Sequence, residues 1–206
     1  MTSEDEEALE KENLPEVLPI LPLTNTVLFP GVVIPINTGR DKSIKLINDA
    51  NKSNKLIGVV SQIDIKVENP SIEDIYGVGT VAKILRVLKM PDGNNTVIIQ
   101  GKKRFKIESV VKTDPYIQAT INSLPDKNQK KSNNKFTATI DAIRDIALKI
   151  IKENPNIPSE ASFAIKNIHS SAFLINFVSS NLNLPVKDKQ VLLETNNLQE
   201  RALQTL

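Results

Sequence analysis

At 206 residues the chain has room for one large domain or two small ones. Apolar residues make up 40% and charged residues 24%, too hydrophobic for wholesale disorder and too polar for a membrane protein. There is no cysteine, which excludes a disulfide framework, a thiolate zinc site, an iron–sulfur cluster and a cysteine nucleophile. The single histidine, His169, cannot build a multi-histidine metal site, and any Ser-His-Asp triad would have to run through it.

The net charge of +2 is unevenly spread, because residues 1–13 hold six acids against Lys11 and leave the remainder basic. An acidic, apolar-poor leader is unlike a signal or transit peptide and reads as a disordered, solvating tail. The most apolar run, Val27 to Ile36, is far short of the roughly 20 residues that cross a bilayer, and Pro30 and Pro35 interrupt it. No membrane partner is expected, and a cytoplasmic location is.

From Leu14 to about Leu124 the apolar residues come in short Val- and Ile-rich runs punctuated by Gly, Pro, Asn and Asp, the pattern of strands. The expected strands are Val17–Leu23, Val32–Ile36, Leu56–Val60, Gly79–Met90, Thr96–Gln100, Arg104–Val111 and Tyr116–Ile121. Prolines at 15, 19, 22, 30 and 35 belong at strand starts, edges or bulges. Pro91-Asp92-Gly93-Asn94 predicts a hairpin turn, since Pro presets φ and Gly tolerates positive φ. One helix interrupts the strands: Asp41–Asn51 places Ile44, Ile47 and Asn51, or Leu46 and Ala50, at helical spacings, and should cover an open end of a small barrel-like sheet.

Residues 126–135 contain no apolar side chain and mark a linker between lobes, so that 1–13 is a tail, 14–125 a β-rich lobe and 136–206 a helical lobe. Phe136, Ile140, Ile143, Ala147 and Ile150 lay one stripe along a helix that Asn154 to Pro158 stops. Ser159 caps a shorter helix over Ala161–Ile168, and Ser170 or Ser171 another carrying Phe173, Leu174, Phe177 and Val178. A helix over Val186–Glu194 follows, and Asn196 with Gln199 opens a last one as a capping box. Because its stripe runs to Leu206 with no stop signal, the expectation is a chain cut inside a helix of a longer protein.

Reactive constellations are missing. Gly101-Lys102 fails the phosphate-loop pattern, with Thr96 where the first Gly belongs and Lys103 where the hydroxyl belongs. Gly77-Val78-Gly79 opens a dinucleotide fingerprint, but Ala82 replaces the third Gly and a strand follows. No Gly-x-Ser-x-Gly elbow occurs. Glu73 with Asp74 and Asp141 with Asp145 read as solvated charge. Lys102 to Arg104 with Lys106, and Lys127, Lys130 and Lys131, raise nucleic-acid binding. With 4% aromatics and no Trp to stack bases, a hairpin tip at Lys102–Arg104 and a solvated linker are the simpler readings.

Leu21-Pro22-Leu23-Thr24-Asn25-Thr26-Val27-Leu28-Phe29-Pro30-Gly31-Val32-Val33-Ile34-Pro35-Ile36 followed by Gly39-Arg40-Asp41-Lys42-Ser43-Ile44 resembles the opening of the N-terminal domain of the Lon family of ATP-dependent proteases. Gly77-Val78-Gly79-Thr80-Val81-Ala82, Met90-Pro91-Asp92-Gly93, Gln100-Gly101-Lys102-Lys103-Arg104-Phe105, Leu184-Pro185 to Leu193 and Gln199-Glu200-Arg201 resemble later family blocks, in order, so that the similarity spans roughly residues 14 to 206. The resemblance implies an α+β fold: a small PUA-like pseudo-barrel lobe with one covering helix, then an all-α helical bundle. It also implies a non-catalytic role, capturing unfolded, damaged or degron-bearing proteins for an AAA+ ATPase and Ser-Lys peptidase of the same chain in a homo-hexamer. This stretch would then carry no cofactor, while ATP and magnesium serve the parent. The alternative is a stand-alone PUA-like nucleic-acid-binding or adaptor module.

Candidate substrate contacts are Leu28, Phe29, Val32, Met90 and Pro91, read as a shallow apolar patch, with Arg40, Asp41, Lys42 and Lys45 adding polar contacts. Core packing is the competing reading for Phe29 and Val32. A solvated helix face is the competing reading for the charged four.

Overall fold

The computed structural model describes residues 14–91, 94–126, 134–154, 157–158 and 160–206. The expected acidic tail, most of the 126–135 linker, the centre of the Pro91–Asn94 turn and the Ser159 cap lie outside these residues. The strand-forming runs give β1 (Val17–Leu23), β2 (Val33–Thr38), β3 (Leu56–Ser61), β4 (Val78–Lys89), β5 (Asn95–Lys112) and β6 (Gln118–Ser123). Helix α1 (Asp41–Lys52) separates β2 from β3, and a short 3-10 turn (Ile72–Asp74) precedes β4. Five helices follow the strands: α2 (Asn134–Glu153), α3 (Glu160–Lys166), α4 (Ser171–Asn181), α5 (Val186–Glu194) and α6 (Leu198–Thr205).

The strands form one sheet in the order β2-β5-β4-β3-β1-β6, and an extra β5–β6 pairing closes the ladder on itself. Closure depends on the length of β5. Its first half, Asn95 to Gln100, pairs with β2, and its second half, from Phe105 to Lys112, pairs with β6. The two runs expected as separate strands are therefore one strand of 18 residues. What looked like a break, Gly101-Lys102-Lys103, is a register shift against β4 inside one unbroken strand, and Gly101 there admits a neighbouring backbone. A Cβ there would stand 2.3 Å from the carbonyl oxygen of Phe29. The Gly101 N–H donates to Val32 O and its carbonyl accepts from Gly31 N–H, each at 2.9 Å. Gly31 itself has φ 80°, the left-handed region open to glycine.

Alternation along the strands fills two apolar clusters. Leu21, Ile36, Ile57 and Ile99 pack with Leu46, Ile47 and Ala50 of α1, so the buried face joins Leu46 and Ala50 of one expected set with Ile47 of the other. Leu18, Ile20, Val60, Val81 and Phe105 form the second.

In the helical part, Ile140 and Ile143 of α2 are buried with Ile165, Ile168, Leu174, Ile175 and Ala202. Toward the end of α2 the packed face turns to Leu148 and Ile151, leaving Ile150 half exposed although it lies on the expected stripe. Ser170 caps α4, its oxygen accepting from Phe173 N–H at 2.9 Å. The cap of α6 is Asn197, one residue beyond the expected Asn196, and it accepts from Gln199 N–H at 3.0 Å and Glu200 N–H at 3.2 Å.

Candidate functional site

The Phe29-Pro30-Gly31-Val32 turn is not an exposed patch. Phe29, Val32 and Val27 are buried against Leu192 and Leu193 at the end of α5, with Val78 and Phe173 around them. Leu28 is buried on the other side, in the cluster beneath α1, and its carbonyl accepts from Thr80 Oγ1 at 2.6 Å. All three residues are corrected from surface contacts to packing residues, because the turn is where the sheet meets the helices and water is excluded from both its sides.

A polar network flanks this junction. Arg104, expected at a hairpin tip, is 2% exposed in mid-strand. Its Nη1 donates to the carbonyls of Leu193 and Thr195 at 2.7 and 3.3 Å and to Asn196 Oδ1 at 3.2 Å, while Nη2 donates to Asp126 Oδ1 at 2.6 Å. Arg201, fully buried in α6, donates to the same Asp126 oxygen, to Asn176 Oδ1 at 3.1 Å and to Thr195 O. Asn176 Nδ2 in turn donates to Pro30 O at 3.2 Å, and Gln190 Nε2 to Val78 O at 2.9 Å. Burial pushes the Arg104 guanidinium down to about 10, with Asp126 opposing that shift, so it stays charged near neutral pH. One carboxylate thus serves two buried guanidinium groups that hold sheet and helices in one arrangement. This is scaffolding: Nη1 and Nη2 of Arg104, and all three nitrogens of the Arg201 guanidinium, are already committed.

The exposed apolar surface lies elsewhere, on the outer face of β2, β5 and β4. The register sets Val33, Gln100 and Lys83 in one row, Pro35, Ile98 and Arg86 in the next, and Asn37, Thr96 and Leu88 in the third. Residues in one row share a face. Val33 and Leu88 are exposed, Pro35 is exposed and Ile98 half-buried, and Leu85 projects at a register shift between Ile84 and Arg86. Met90, two residues past Leu88 at the hairpin end, is 46% exposed, and Pro91 beside it is exposed. Met90 and Pro91 are thus where the sequence reading needed them, but their neighbours are Leu88, Ile98, Pro35 and Val33. Val33 and Pro35 were missed because the apolar run Val32 to Ile36 shows no alternation to tell its two faces apart, and Leu88 and Ile98 because only the cross-strand register brings them beside it.

The charged quartet sits at the same end. Thr38 pairs with Asn95, and a Cβ on Gly39 would meet Asn94 Oδ1 at 2.6 Å, so the start of α1 abuts the base of the β4–β5 hairpin. Asp41, Lys42 and Lys45 are exposed there and Arg40 is half-buried; Lys45 also lies 3.8 Å from Asp49. Among the described residues no group of three or more His, Cys, Asp or Glu is placed to hold a metal ion, and no helix is long and apolar enough to cross a membrane. His169 is exposed.

A closed, helix-covered sheet clasped to a set of helices is the architecture of known N-terminal domains. The N-terminal domain of Mycobacterium avium complex Lon protease superposes with a TM-score of 0.73 at 20% identity, covering 92% of this chain and 95% of that one. A Lon N-terminal domain protein from Xanthomonas campestris gives 0.64 at 15% identity, with 91% and 95% covered. The sequence carries the relationship further. The ATP-dependent protease La (LON) substrate-binding domain family matches residues 17–206, and the chain belongs to that family. The Lon protease of Flavobacterium johnsoniae is 64% identical over all 206 residues, and that of Cytophaga hutchinsonii 51% identical over 98% of the chain. The chain spans about a quarter of the length of these relatives (25% of each).

Proposed function

We propose that the chain is the non-catalytic substrate-capturing part of a Lon-type ATP-dependent serine protease, holding unfolded, damaged or degron-bearing proteins for degradation. The observation that carries this reading is the row of Val33, Pro35, Ile98, Leu88 and Met90, uncovered on one sheet face beside the exposed Pro91. A shallow surface that mixes apolar side chains and a flexible thioether with polar and basic ones suits varied unfolded segments. Arg40, Asp41, Lys42 and Lys45 form its polar margin. Leu28, Phe29 and Val32 support the turn beneath and meet no substrate.

In this reading the closed sheet of residues 14–125 is a PUA-like lobe, 126–135 a linker and 136–206 a helical bundle, with 1–13 a solvating tail. The AAA+ and peptidase modules of the same protein would supply ATP, magnesium and the catalytic groups, in a homo-hexamer in the cytoplasm. The helical lobe, clasped through Arg104, Asp126 and Arg201, would pass captured segments toward that ring.

The test is binding of a permanently unfolded protein to the chain, wild type against Leu88→Ser/Met90→Ser. We expect affinity about tenfold weaker with an unchanged unfolding midpoint. Undiminished binding by the folded double variant removes the surface from the account, and salt-sensitive binding of oligonucleotides in place of unfolded protein would favour the nucleic-acid alternative.

A further inference from the structure

A cavity of about 240 Å³ opens between the start of α1, the segment before the 3-10 turn and the loop between β5 and β6. Its apolar walls are Ile20 and Leu21 of β1, Leu46 of α1, and Ile72 and Ile117. Two cations, Arg40 and Lys42, stand at its margin, and among the described residues no acid lines it. Two carboxylates meet lining residues: Asp74 accepts from Ser71 N–H at 2.8 Å and Ser71 Oγ at 2.7 Å, and Asp49 accepts from Tyr116 Oη at 3.2 Å and lies 3.8 Å from Lys45 Nζ. Arg40 is the N-cap of α1 and its side chain does not cap the helix, so the first-turn N–H groups face outward with no side chain folded over them from that position.

An apolar recess rimmed by two cations and a helix start selects a ligand with an apolar body and one negative end. Size narrows the choice. The volume is below the roughly 300–1,000 Å³ of small-molecule and cofactor sites, which leaves space for one or two side chains and not for a nucleotide. An internal apolar residue carries no anion of its own, whereas an apolar residue at the end of a chain has its side chain and its α-carboxylate on one Cα.

We propose that this cavity receives the C-terminus of a captured polypeptide, its last apolar side chain against Leu46, Ile72 and Ile117 and its α-carboxylate between Arg40 and Lys42. The assignment rests on the reading of the chain as a polypeptide-capturing module and gives that capture a direction, since one end of the substrate is told from its middle.

The experiment uses the 206-residue chain and three fluorescent peptides: one ending in Leu-Leu with a free carboxylate, the same peptide as its C-terminal amide, and an apolar peptide blocked at both ends. The free acid should bind about tenfold more tightly than the amide. Arg40→Gln/Lys42→Gln should erase that difference, bringing the free acid down to the level of the amide. A charge-matched control, Lys52→Gln/Lys66→Gln, alters exposed lysines away from the cavity and should preserve the difference. Equal binding of acid and amide, with the blocked peptide still bound, overturns the cavity assignment alone, as does a preference that survives loss of Arg40 and Lys42. If none of the peptides binds, the capture reading falls with it.

Discussion

Phe29 and Val32 lie under Leu192 and Leu193, while Leu88 and Met90, from another strand-forming run, stand in solvent on the outer sheet face. The difference comes from what the chain places opposite each. The Phe29 turn is drawn against β5 by hydrogen bonds through Gly101 and then covered by α5, whereas nothing in the described structure covers the β2–β5–β4 face. Burial therefore makes the first region a determinant of stability, and exposure leaves the second available for the capture role proposed for it.

The contrast is sharpest in the expected cost of truncation. Phe29→Ala should lower unfolding free energy by about 3–5 kcal/mol, read from denaturant titration, because a fully buried aromatic leaves a cavity at the lobe junction. Asp126→Ala should cost about 3 kcal/mol by the same measurement, since it strands the two buried guanidinium groups of Arg104 and Arg201. Leu88→Ser/Met90→Ser should change stability by less than about 1 kcal/mol while weakening capture, the reverse of Phe29→Ala. A double variant that unfolds would erase the distinction between the regions.

The smallest expected effect concerns the 3-10 turn. Asp74 accepts from Ser71 N–H at 2.8 Å and from Ser71 Oγ at 2.7 Å, which holds its carboxyl below the ordinary aspartate value. A depressed folded-state value contributes stability that is present above the unfolded value and lost as pH falls through the folded one. Ser71→Ala should move the Asp74 titration, followed by NMR, back up toward ordinary aspartate, with the closed sheet unaltered.

Periodicity made the helices readable: the Val186–Glu194 bounds agree with α5, and Ser170 caps α4 as expected. Strand positions were readable for the same reason, since turn residues bracket short apolar runs. Which face a strand residue takes was not, because β2 is apolar on both faces and only pairing with β5 tells Val33 from Ile34. Arg104 was opaque for a related reason. A cation beside two lysines looks solvated until Leu193, Thr195 and Asp126, from distant parts of the sequence, converge on it. The proposed binding surface was half legible, in Met90 and Pro91 beside an expected turn. Its other half is contributed by cross-strand neighbours that no local pattern identifies.

Strand β5 joins these places along one rod. Counting from Asn95, at the hairpin, to Arg104, which grips the end of α5, gives a rigid span of about 30 Å at roughly 3.3 Å per residue. A pull on the hairpin finds no loop in which to dissipate before it reaches the helices. Tension on a held chain would arrive at α5 and α6 as a push or twist of the whole helical part, so the grip and its mounting would move together.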